Sequence, residues 1–408
     1  MKRSILTGFL LFSIIACKAK DNEFTFDKGY YTEYAISTSG KITDPNFASK
    51  VIIYYPANYD VQDTTVKYPI IYFLHPFGGD YTYYRSVYDV GTIMSYLVAK
   101  GEINPAILVF VNGKNPFGGS FYVNSVDIAN NINVYGKYQD YIIEEVIPQV
   151  ENSIISKSKL NGQRYIAGYS MGGYGSVWLS IARYDLFNKV ASISGPLGFA
   201  IFTDAQAQQA VLQVLKSENS DFGNRLPLTF DSLASTLGVG KTFTTFIVAL
   251  SAAFSPKFDN CANFLLHPDS IKYTYITAQI GSNCAGFRLP VYKDLDSVNS
   301  SVLSNIWLLK DPLLFFGIAP DADSIIEKGI KYYISTGNGD PLEQVIYKMD
   351  SIIVDVMKGR YQSKGKNPNE YISYKVLDGS TDPFKFPTTH NQYVYNEIAE
   401  VLKFFLKK

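Results

Sequence analysis

The sequence predicts an α/β fold with a mostly parallel sheet covered by helices on both faces. Near-continuous apolar runs at 68–74 and 106–111 are typical of strands that are buried on both faces of a parallel sheet. A glycine-rich turn at 168–175 joins a short apolar run to an amphipathic run, as expected for a strand followed by a helix. Strands alternate with helices along most of the chain, which is the pattern of a three-layer sheet.

The elements before residue 198 follow from residue type and spacing. Residues 50–59 are rich in β-branched and aromatic side chains and close with a proline and an asparagine, which predicts a strand and a turn. Residues 140–154 carry apolar side chains at helical spacing. The predicted strands are 50–59, 68–74, 106–111, 164–167 and 190–194, and the predicted helices are 140–154 and 176–184.

The pattern changes over 198–305, where two helices are predicted within long polar loops. This segment is inserted after a sheet strand, so we expect a largely helical cap above the carboxyl ends of the strands. A side domain packed away from the site is the alternative. The α/β domain then comprises 31–197 and 306–408. The two helices of the insertion are 205–216 and 242–254; the later elements of the α/β domain are strands at 331–335 and 371–377 and helices at 342–358 and 392–406.

The N-terminus has the pattern of a bacterial lipoprotein signal. Two basic residues precede an apolar run at 5–15, which is too short to span a bilayer, and the run ends in Ile-Ile-Ala-Cys. We expect 1–16 to be removed, Cys17 to be lipidated and 17–30 to be a polar tether. The protein would then be anchored to the bacterial cell envelope by lipid without crossing the membrane. A buried N-terminal helix is the alternative.

Composition excludes some partners and indicates an oxidising compartment. The chain has 37 basic and 37 acidic residues, so nothing in its charge favours nucleic acid. The 32 tyrosines suit an exported protein that binds sugars or aromatic groups, although aromatic cores explain them equally well. Besides Cys17 there are two cysteines, Cys261 and Cys284, which in an exported protein are expected to form a disulfide; two buried free thiols are the alternative.

A G-x-S-x-G sequence at 168–172 lies between the predicted strand and helix. This is the context of a nucleophile elbow, in which Ser170 occupies a strained turn and its hydroxyl is exposed. The flanking glycines are needed because a Cβ there would collide with the neighbouring strand or helix. The amide of Met171, at the helix start, would point to the position of an oxyanion.

A serine nucleophile needs a general base and a group that orients the base. The chain has three histidines. His390 follows the last predicted strand, which is the position of the base in the order Ser, acid, His. His267, in the insertion, is the alternative base, and His75, after a strand, is interpreted as a structural residue that braces a neighbouring loop.

The predicted acid is Asp340, at the end of the strand before the last. Its carboxylate would emerge at the same sheet edge as Ser170, in a Gly-Asn-Gly-Asp turn. Asp378 and Asp382 are closer to His390 in sequence and are alternatives, but they follow the final strand.

The chain resembles the esterase D family of putative esterases, which have the α/β-hydrolase fold. The resemblance rests on His-Pro-Phe-Gly-Gly at 75–79, Glu-Glu-Val-Ile-Pro-Gln-Val-Glu at 144–151, Gly-Tyr-Ser-Met-Gly-Gly-Tyr-Gly at 168–175 and Ser-Ile-Ser-Gly at 192–195. It implies that Ser170, Asp340 and His390 form the triad. It also implies that the amides of Phe77 and Met171 form the oxyanion hole. The family loop usually reads His-Gly-x-Gly-Gly, and here Pro76 replaces the first glycine.

The resemblance implies a serine carboxylic ester hydrolase, and the N-terminal signal predicts that it is exported. We expect no cofactor and no metal. The expected substrate is a small-molecule or oligosaccharide ester, in particular a feruloyl or acetyl ester of a carbohydrate. A siderophore or lactone esterase, or an acyltransferase, is the alternative enzyme. A surface binding protein without catalytic activity is the alternative outside enzymes.

Overall fold

The structure is a computed structural model and describes residues 25–237, 241–264, 270–339, 341–377 and 393–408. The strands are β1 (Tyr30–Ala35), β2 (Lys50–Tyr55), β3 (Tyr68–Leu74), β4 (Ile107–Val111), β5 (Asn124–Asp127), β6 (Ile132–Lys137), β7 (Leu160–Tyr169), β8 (Lys189–Ile193), β9 (Pro256–Asn260), β10 (Thr274–Ile280), β11 (Asn283–Arg288), β12 (Lys331–Gly337) and β13 (Ile372–Leu377).

Helices cover both faces of the sheet. They are α1 (Tyr83–Ser86), α2 (Val90–Ala99), α3 (Tyr138–Asp140), α4 (Ile147–Gln149), α5 (Met171–Ala182), α6 (Ala205–Glu218), α7 (Phe230–Ala234), α8 (Thr242–Phe254), α9 (Cys261–Phe264), α10 (Ser300–Asn305), α11 (Pro312–Ile318), α12 (Ala322–Lys328), α13 (Pro341–Ser363) and α14 (Val394–Leu406). Two π-helical segments, Tyr141–Val146 and Val150–Ile154, continue α3 and α4 into one helical run, so the helix predicted at 140–154 is present.

The central sheet follows the order β1-β2-β4-β3-β7-β8-β12-β13. Strands β1, β2 and β4 pair antiparallel, and every later neighbour in the order pairs parallel. The carboxyl ends of β3, β7, β8 and β12 therefore meet at one edge, where ligands bind in open α/β sheets. An elbow serine above a mostly parallel sheet is the arrangement of the α/β-hydrolase fold, and this prediction is confirmed.

Two apolar cores lie on opposite faces of the sheet. One core packs α2 and α14 against the strands, through side chains such as Met94 and Phe405. The other packs α5 and α13 against the opposite face and continues into the insertion. Strand β3 has the predicted bounds and is buried along its whole length, as a strand of a parallel sheet should be.

The insertion is joined to the α/β domain by aromatic packing. The Phe254 ring at the end of α8 lies 5.6 Å from the Trp307 ring and 5.6 Å from the Tyr174 ring of α5, measured between centroids. Helices α6 and α8 match the predicted helices, and α8 has the predicted bounds. The insertion also holds an antiparallel sheet in the order β10-β11-β9, which the sequence analysis missed because apolar and polar residues alternate little along these strands.

Cys261 and Cys284 form a disulfide, as predicted, with an S–S distance of 2.12 Å. Cys261 follows β9 and Cys284 lies in β11, the strand that pairs with β9. The bond therefore closes the end of the small antiparallel sheet. No single helix in the described ranges has the length and apolar composition of a membrane span; the segments Ser300–Lys310 and Pro312–Ile318 reach that length only as a pair bent by 75°.

Candidate active site

Ser170 stands at a sharp turn between β7 and α5. Its backbone has φ +54° and ψ −117°, in a region that residues with a side chain rarely adopt, and such strain concentrates at functional sites. Two backbone hydrogen bonds hold the turn: the Ser170 N–H donates to Ile193 O at 2.8 Å, and the Tyr174 N–H donates to Ser170 O at 3.0 Å. The strand, turn and helix predicted from the sequence are therefore present.

Glycines on both sides of Ser170 let α5 start against the sheet. A Cβ at Gly172 would lie 1.8 Å from the Leu74 carbonyl oxygen, and a Cβ at Gly168 would lie 2.2 Å from the Gly172 carbonyl carbon. Neither backbone neighbour can move without disrupting β3 or α5. Only glycine fits at these two positions, because backbone approaches backbone too closely for a Cβ.

Pro76 leaves the Phe77 amide in place. The carbonyl oxygen of Pro76 accepts the Nδ1–H of His75 at 2.8 Å and the N–H of Gly79 at 3.1 Å. In a trans peptide the N–H points away from the C=O, so these two bonds also fix the direction of the Phe77 N–H. Within the described part of the chain, neither the Phe77 N–H nor the Met171 N–H donates to a protein acceptor. Both amides are available to an oxyanion.

His75 stabilises the loop that follows β3. Its Nε2 accepts the N–H of Gly113 at 2.9 Å, so that nitrogen is unprotonated and the proton lies on Nδ1. The ring is buried, and burial lowers the pKa of His75 to about 4. The imidazole is therefore neutral and engaged at both nitrogens at physiological pH, in agreement with the structural role expected from the sequence.

A tyrosine that sequence reasoning missed packs behind the same loop. The Tyr122 hydroxyl donates to the carbonyl oxygen of His75 at 2.9 Å, and the Gly78 N–H donates to Gly118 O at 3.0 Å. Phe121 and Tyr122 both have positive φ, +51° and +56°, although both are bulky. Nothing in residue type marks such a turn, since glycine or asparagine is the usual occupant of that conformation.

Ser170 lies in the wall of a cavity of about 860 Å³. Pro76 and Phe77 contribute to the wall from the loop after β3. The insertion supplies apolar side chains of α6 and α8 and of the turn before α6. These side chains include Phe202, Ala207, Val211, Phe243 and Phe246. Side chains of the segment 198–305 thus line the same cavity as Ser170. A mostly apolar cavity with a few polar groups is the usual form of a small-molecule site.

Two carboxylates in the described wall of this cavity accept hydrogen bonds from backbone N–H groups at helix starts. Asp204 accepts the N–H groups of Gln206 and Ala207 at the start of α6. Glu218 accepts the N–H groups of Phe243 at 2.9 Å and Thr244 at 2.7 Å at the start of α8. Both satisfy backbone donors that would otherwise lack partners, so they stabilise the cap helices.

The predicted acid and base lie outside the described residues, as do the alternatives. Among the described residues, the ends of β8 and β12 pair in parallel, and Ser335 lies opposite Ile193. Strand β12 ends at Gly337, at the same edge as Ser170. The residues outside the described ranges are Asp340, His390, Asp378, Asp382 and His267, as well as Cys17.

Comparison with known proteins gives one family and several relatives. The family model described as putative esterase matches residues 43–226. An endo-1,4-β-xylanase/feruloyl esterase of Xylanibacter ruminicola is 28% identical over 145 residues, which are 35% of this chain and 19% of that relative. This chain therefore matches only about a fifth of the length of that relative.

Solved structures of similar architecture share little sequence. A ferulic acid esterase is 15% identical, with a TM-score of 0.49 and coverage of 93% of this chain and 98% of that one. An S-formylglutathione hydrolase of Staphylococcus aureus is 15% identical, with a TM-score of 0.45 and coverage of 93% and 99%. The matched segment 43–226 contains both the loop after β3 and the Ser170 turn, so the similarity to the putative esterase family covers the part of the chain that carries these two features.

Proposed function

We propose that the protein is a serine carboxylic ester hydrolase that acts through an acyl-enzyme. The observation that carries the proposal is the strained Ser170 turn in the wall of the 860 Å³ cavity, with two amides, Phe77 and Met171, that have no acceptor within the described chain. A nucleophile beside two backbone donors is the arrangement that acyl transfer needs.

The proposed mechanism has two steps. His390 takes the proton of the Ser170 hydroxyl as Oγ attacks the ester carbonyl carbon, and the Phe77 and Met171 amides bind the oxyanion. The C–O bond to the alcohol then breaks, and His390 gives the proton to the leaving oxygen. His390 then takes a proton from water as the water oxygen attacks the acyl carbon. The bond from that carbon to Ser170 Oγ breaks, His390 returns the proton to Oγ, and the acid leaves. Asp340 orients the imidazole throughout. Each oxyanion donor contributes about 3 kcal/mol to the barrier reduction.

The proposed substrate is an esterified carbohydrate of feruloyl or acetyl type. The Xylanibacter ruminicola relative is named for xylanase and feruloyl esterase activities, and an apolar cavity suits an aromatic or short acyl group. A lactone or siderophore ester, or transfer of the acyl group to another alcohol, is the second enzyme candidate, because the same cavity would accept those acyl groups.

The insertion is proposed to set substrate choice. Because Phe254 of α8 packs against Trp307 and Tyr174, replacing the whole insertion would expose the core of the α/β domain. Phe243→Ala and Phe246→Ala test the role without that damage, since both side chains line the cavity. We expect altered ranking of acyl groups in kcat/KM. Phe258→Ala, which removes an aromatic ring of β9, is the matched control; an unchanged ranking in both cavity variants would contradict the proposal.

Export and lipid anchoring at Cys17 are part of the proposal. They rest on the N-terminal sequence pattern, and the disulfide in the insertion is compatible with an oxidising compartment. Mass spectrometry of the mature N-terminus from bacterial membranes tests them. Diacylglyceryl-modified Cys17 is the expected result, and an unmodified Cys17 or cleavage elsewhere would contradict it.

The activity is tested with p-nitrophenyl acetate. We expect turnover by the wild-type protein and none above background by Ser170→Ala. A panel of feruloyl sugars, acetylated sugars and trilactones then separates the substrate candidates. Absence of turnover on all of these esters, with retained affinity for oligosaccharide, would favour the binding protein instead.

A further inference from the structure

Tyr393 joins the carboxyl ends of two sheet strands. It is 4% exposed and directly precedes α14. Its hydroxyl oxygen accepts the N–H of Gly337 at 3.0 Å, and the hydroxyl also hydrogen-bonds Ser194 Oγ. Gly337 is the last residue of β12, and Ser194 follows the last residue of β8. One buried hydroxyl thus holds two adjacent strand ends at the edge where Ser170 lies.

The same contacts reach the Ser170 turn. The Ser194 N–H donates to Ser335 O of β12 at 2.7 Å, and the Ser170 N–H donates to Ile193 O, one residue before Ser194, at 2.8 Å. Ser170 and Ser194 both have positive φ, +54° and +47°. Backbone in that conformation persists only where its surroundings hold it, and the Tyr393 hydroxyl is one of the groups that hold Ser194.

Tyr393 is close in sequence to one proposed catalytic residue and holds a neighbour of another. It follows His390 by three residues, and Gly337 precedes Asp340 by three residues. Tyr393 and Gly337 are thus described positions from which the chain continues towards these two residues.

We propose that Tyr393 is a positioning residue, which holds the ends of β8 and β12 in place beside the Ser170 turn. This inference rests on the proposed function. A proton transfer from Ser170 to a general base requires a heavy-atom distance of about 3 Å, and a misplacement of about 1 Å costs up to a hundredfold in rate. Tyr393 contacts strand ends and does not take part in the chemical steps.

Tyr393→Phe tests the proposal, because it removes the hydroxyl and keeps the ring that fills the core. We expect kcat on p-nitrophenyl acetate to fall about 10- to 100-fold with KM changed less than about twofold, since binding surfaces are untouched. The acidic limb of the kcat/KM pH profile, which reports the general base, should shift. The rate at which a fluorophosphonate labels Ser170 should fall in parallel with kcat.

The matched control is Tyr361→Phe. Tyr361 is fully buried, and its hydroxyl donates to Ile330 O at 2.8 Å, before the start of β12 and away from the catalytic edge. Both variants lose one buried tyrosine hydroxyl, so a merely structural effect should lower Tm in both and leave kcat, the pH profile and the labelling rate unchanged. That result for Tyr393→Phe would overturn the proposal.

A second variant keeps the test decisive if Tyr393→Phe does not fold. Ser194→Gly removes the Oγ partner of Tyr393 and tolerates the positive φ at that position. We expect a smaller fall in kcat with the same shift of the pH profile; wild-type kcat and profile would overturn the proposal. Failure of the proposed function would appear separately, as activity retained by Ser170→Ala or absent from the wild-type protein.

Discussion

The Nδ1–H of His75 donates to the carbonyl oxygen of Pro76 at 2.8 Å. This contact fixes the peptide between Pro76 and Phe77, and with it the direction of the Phe77 N–H. The family loop has glycine where this chain has Pro76, and a proline there removes one amide and restricts φ. The loss concerns the Pro76 nitrogen alone, and the N–H that we propose as an oxyanion donor belongs to the next residue.

The contribution of His75 to stability should fall in mildly acidic solution because the imidazole is held neutral in the folded protein. The pKa of His75 is lowered to about 4 by burial, against about 6.5 in an unfolded chain. Between pH 6.5 and pH 4 the unfolded chain binds the extra proton, so the contribution of His75 to the free energy of unfolding decreases as the pH falls, while burial raises the pKa of Asp311 to about 6 and acts in the opposite direction. The contribution of His75 to this loss is at most about 3 kcal/mol. Thermal melts from pH 7 to pH 4 measure it.

The variant His75→Asn isolates this contribution. Asparagine can donate to Pro76 O from the position of Nδ1 but does not titrate. We expect the difference in Tm between wild type and variant to shrink as the pH falls from 6.5 to 4, because only the wild type loses stability through this residue. A difference that stays constant over the window would show that His75 does not titrate there.

Ser170→Ala and His390→Ala should each lower esterase turnover by several orders of magnitude. Nucleophile and base act as one unit in the chemical step, so removing either removes most of the rate enhancement. Melting temperatures close to that of the wild type would show that both variants fold. Appreciable turnover by purified Ser170→Ala protein would contradict the assignment of the nucleophile.

Asp340→Asn should cause a large loss of turnover, smaller than the loss in Ser170→Ala. The acid orients the imidazole and stabilises its charged form without reacting itself. Asp378→Asn and Asp382→Asn are the comparison variants, and we expect each to be less damaging. If either lowers kcat more than Asp340→Asn does, Asp340 is the wrong acid.

Gly172→Ala should prevent normal folding. The added Cβ would lie 1.8 Å from the Leu74 carbonyl oxygen, a backbone atom of a central strand. We expect a loss of at least about 3 kcal/mol, the upper end for overpacked cores. Gly359→Ala in α13 is the control, since a Cβ there meets nothing within 4 Å and alanine stabilises a helix by up to about 1 kcal/mol. Chemical denaturation of both variants measures the contrast.

Loss of the disulfide should destabilise the insertion. The bond joins residues 23 positions apart, for which the chain-entropy model gives about 3 kcal/mol. We expect Cys261→Ser to lower Tm and to increase hydrogen exchange in β9 and β11. Thiol labelling of denatured, unreduced wild-type protein checks the bond itself: modification of Cys261 or Cys284 would mean that it is absent.

Local residue chemistry was enough to predict much of the sheet and the Ser170 turn. An apolar run buried on both faces has to be a central strand, which is why β3 has the predicted bounds. The glycines at 168 and 172 indicate that backbone approaches backbone closely at these positions. The strands β1, β5 and β9 were missed, because short antiparallel strands with half-exposed side chains resemble loops in sequence.

Contacts between distant segments were decided by the tertiary structure alone. The Tyr122 hydroxyl donates to the carbonyl oxygen of His75, 47 residues away in sequence. It lies in a turn with positive φ that could not be predicted from its residue types. Tyr393 joins Gly337 across 56 residues, and it was one of 32 tyrosines in the sequence. The Tyr393 hydroxyl can bond to both strand ends only because β8 and β12 are adjacent in the sheet. That strand order is set by packing of the whole chain. The sequence by itself determined the Ser170 turn; the structure decided which side chains surround it.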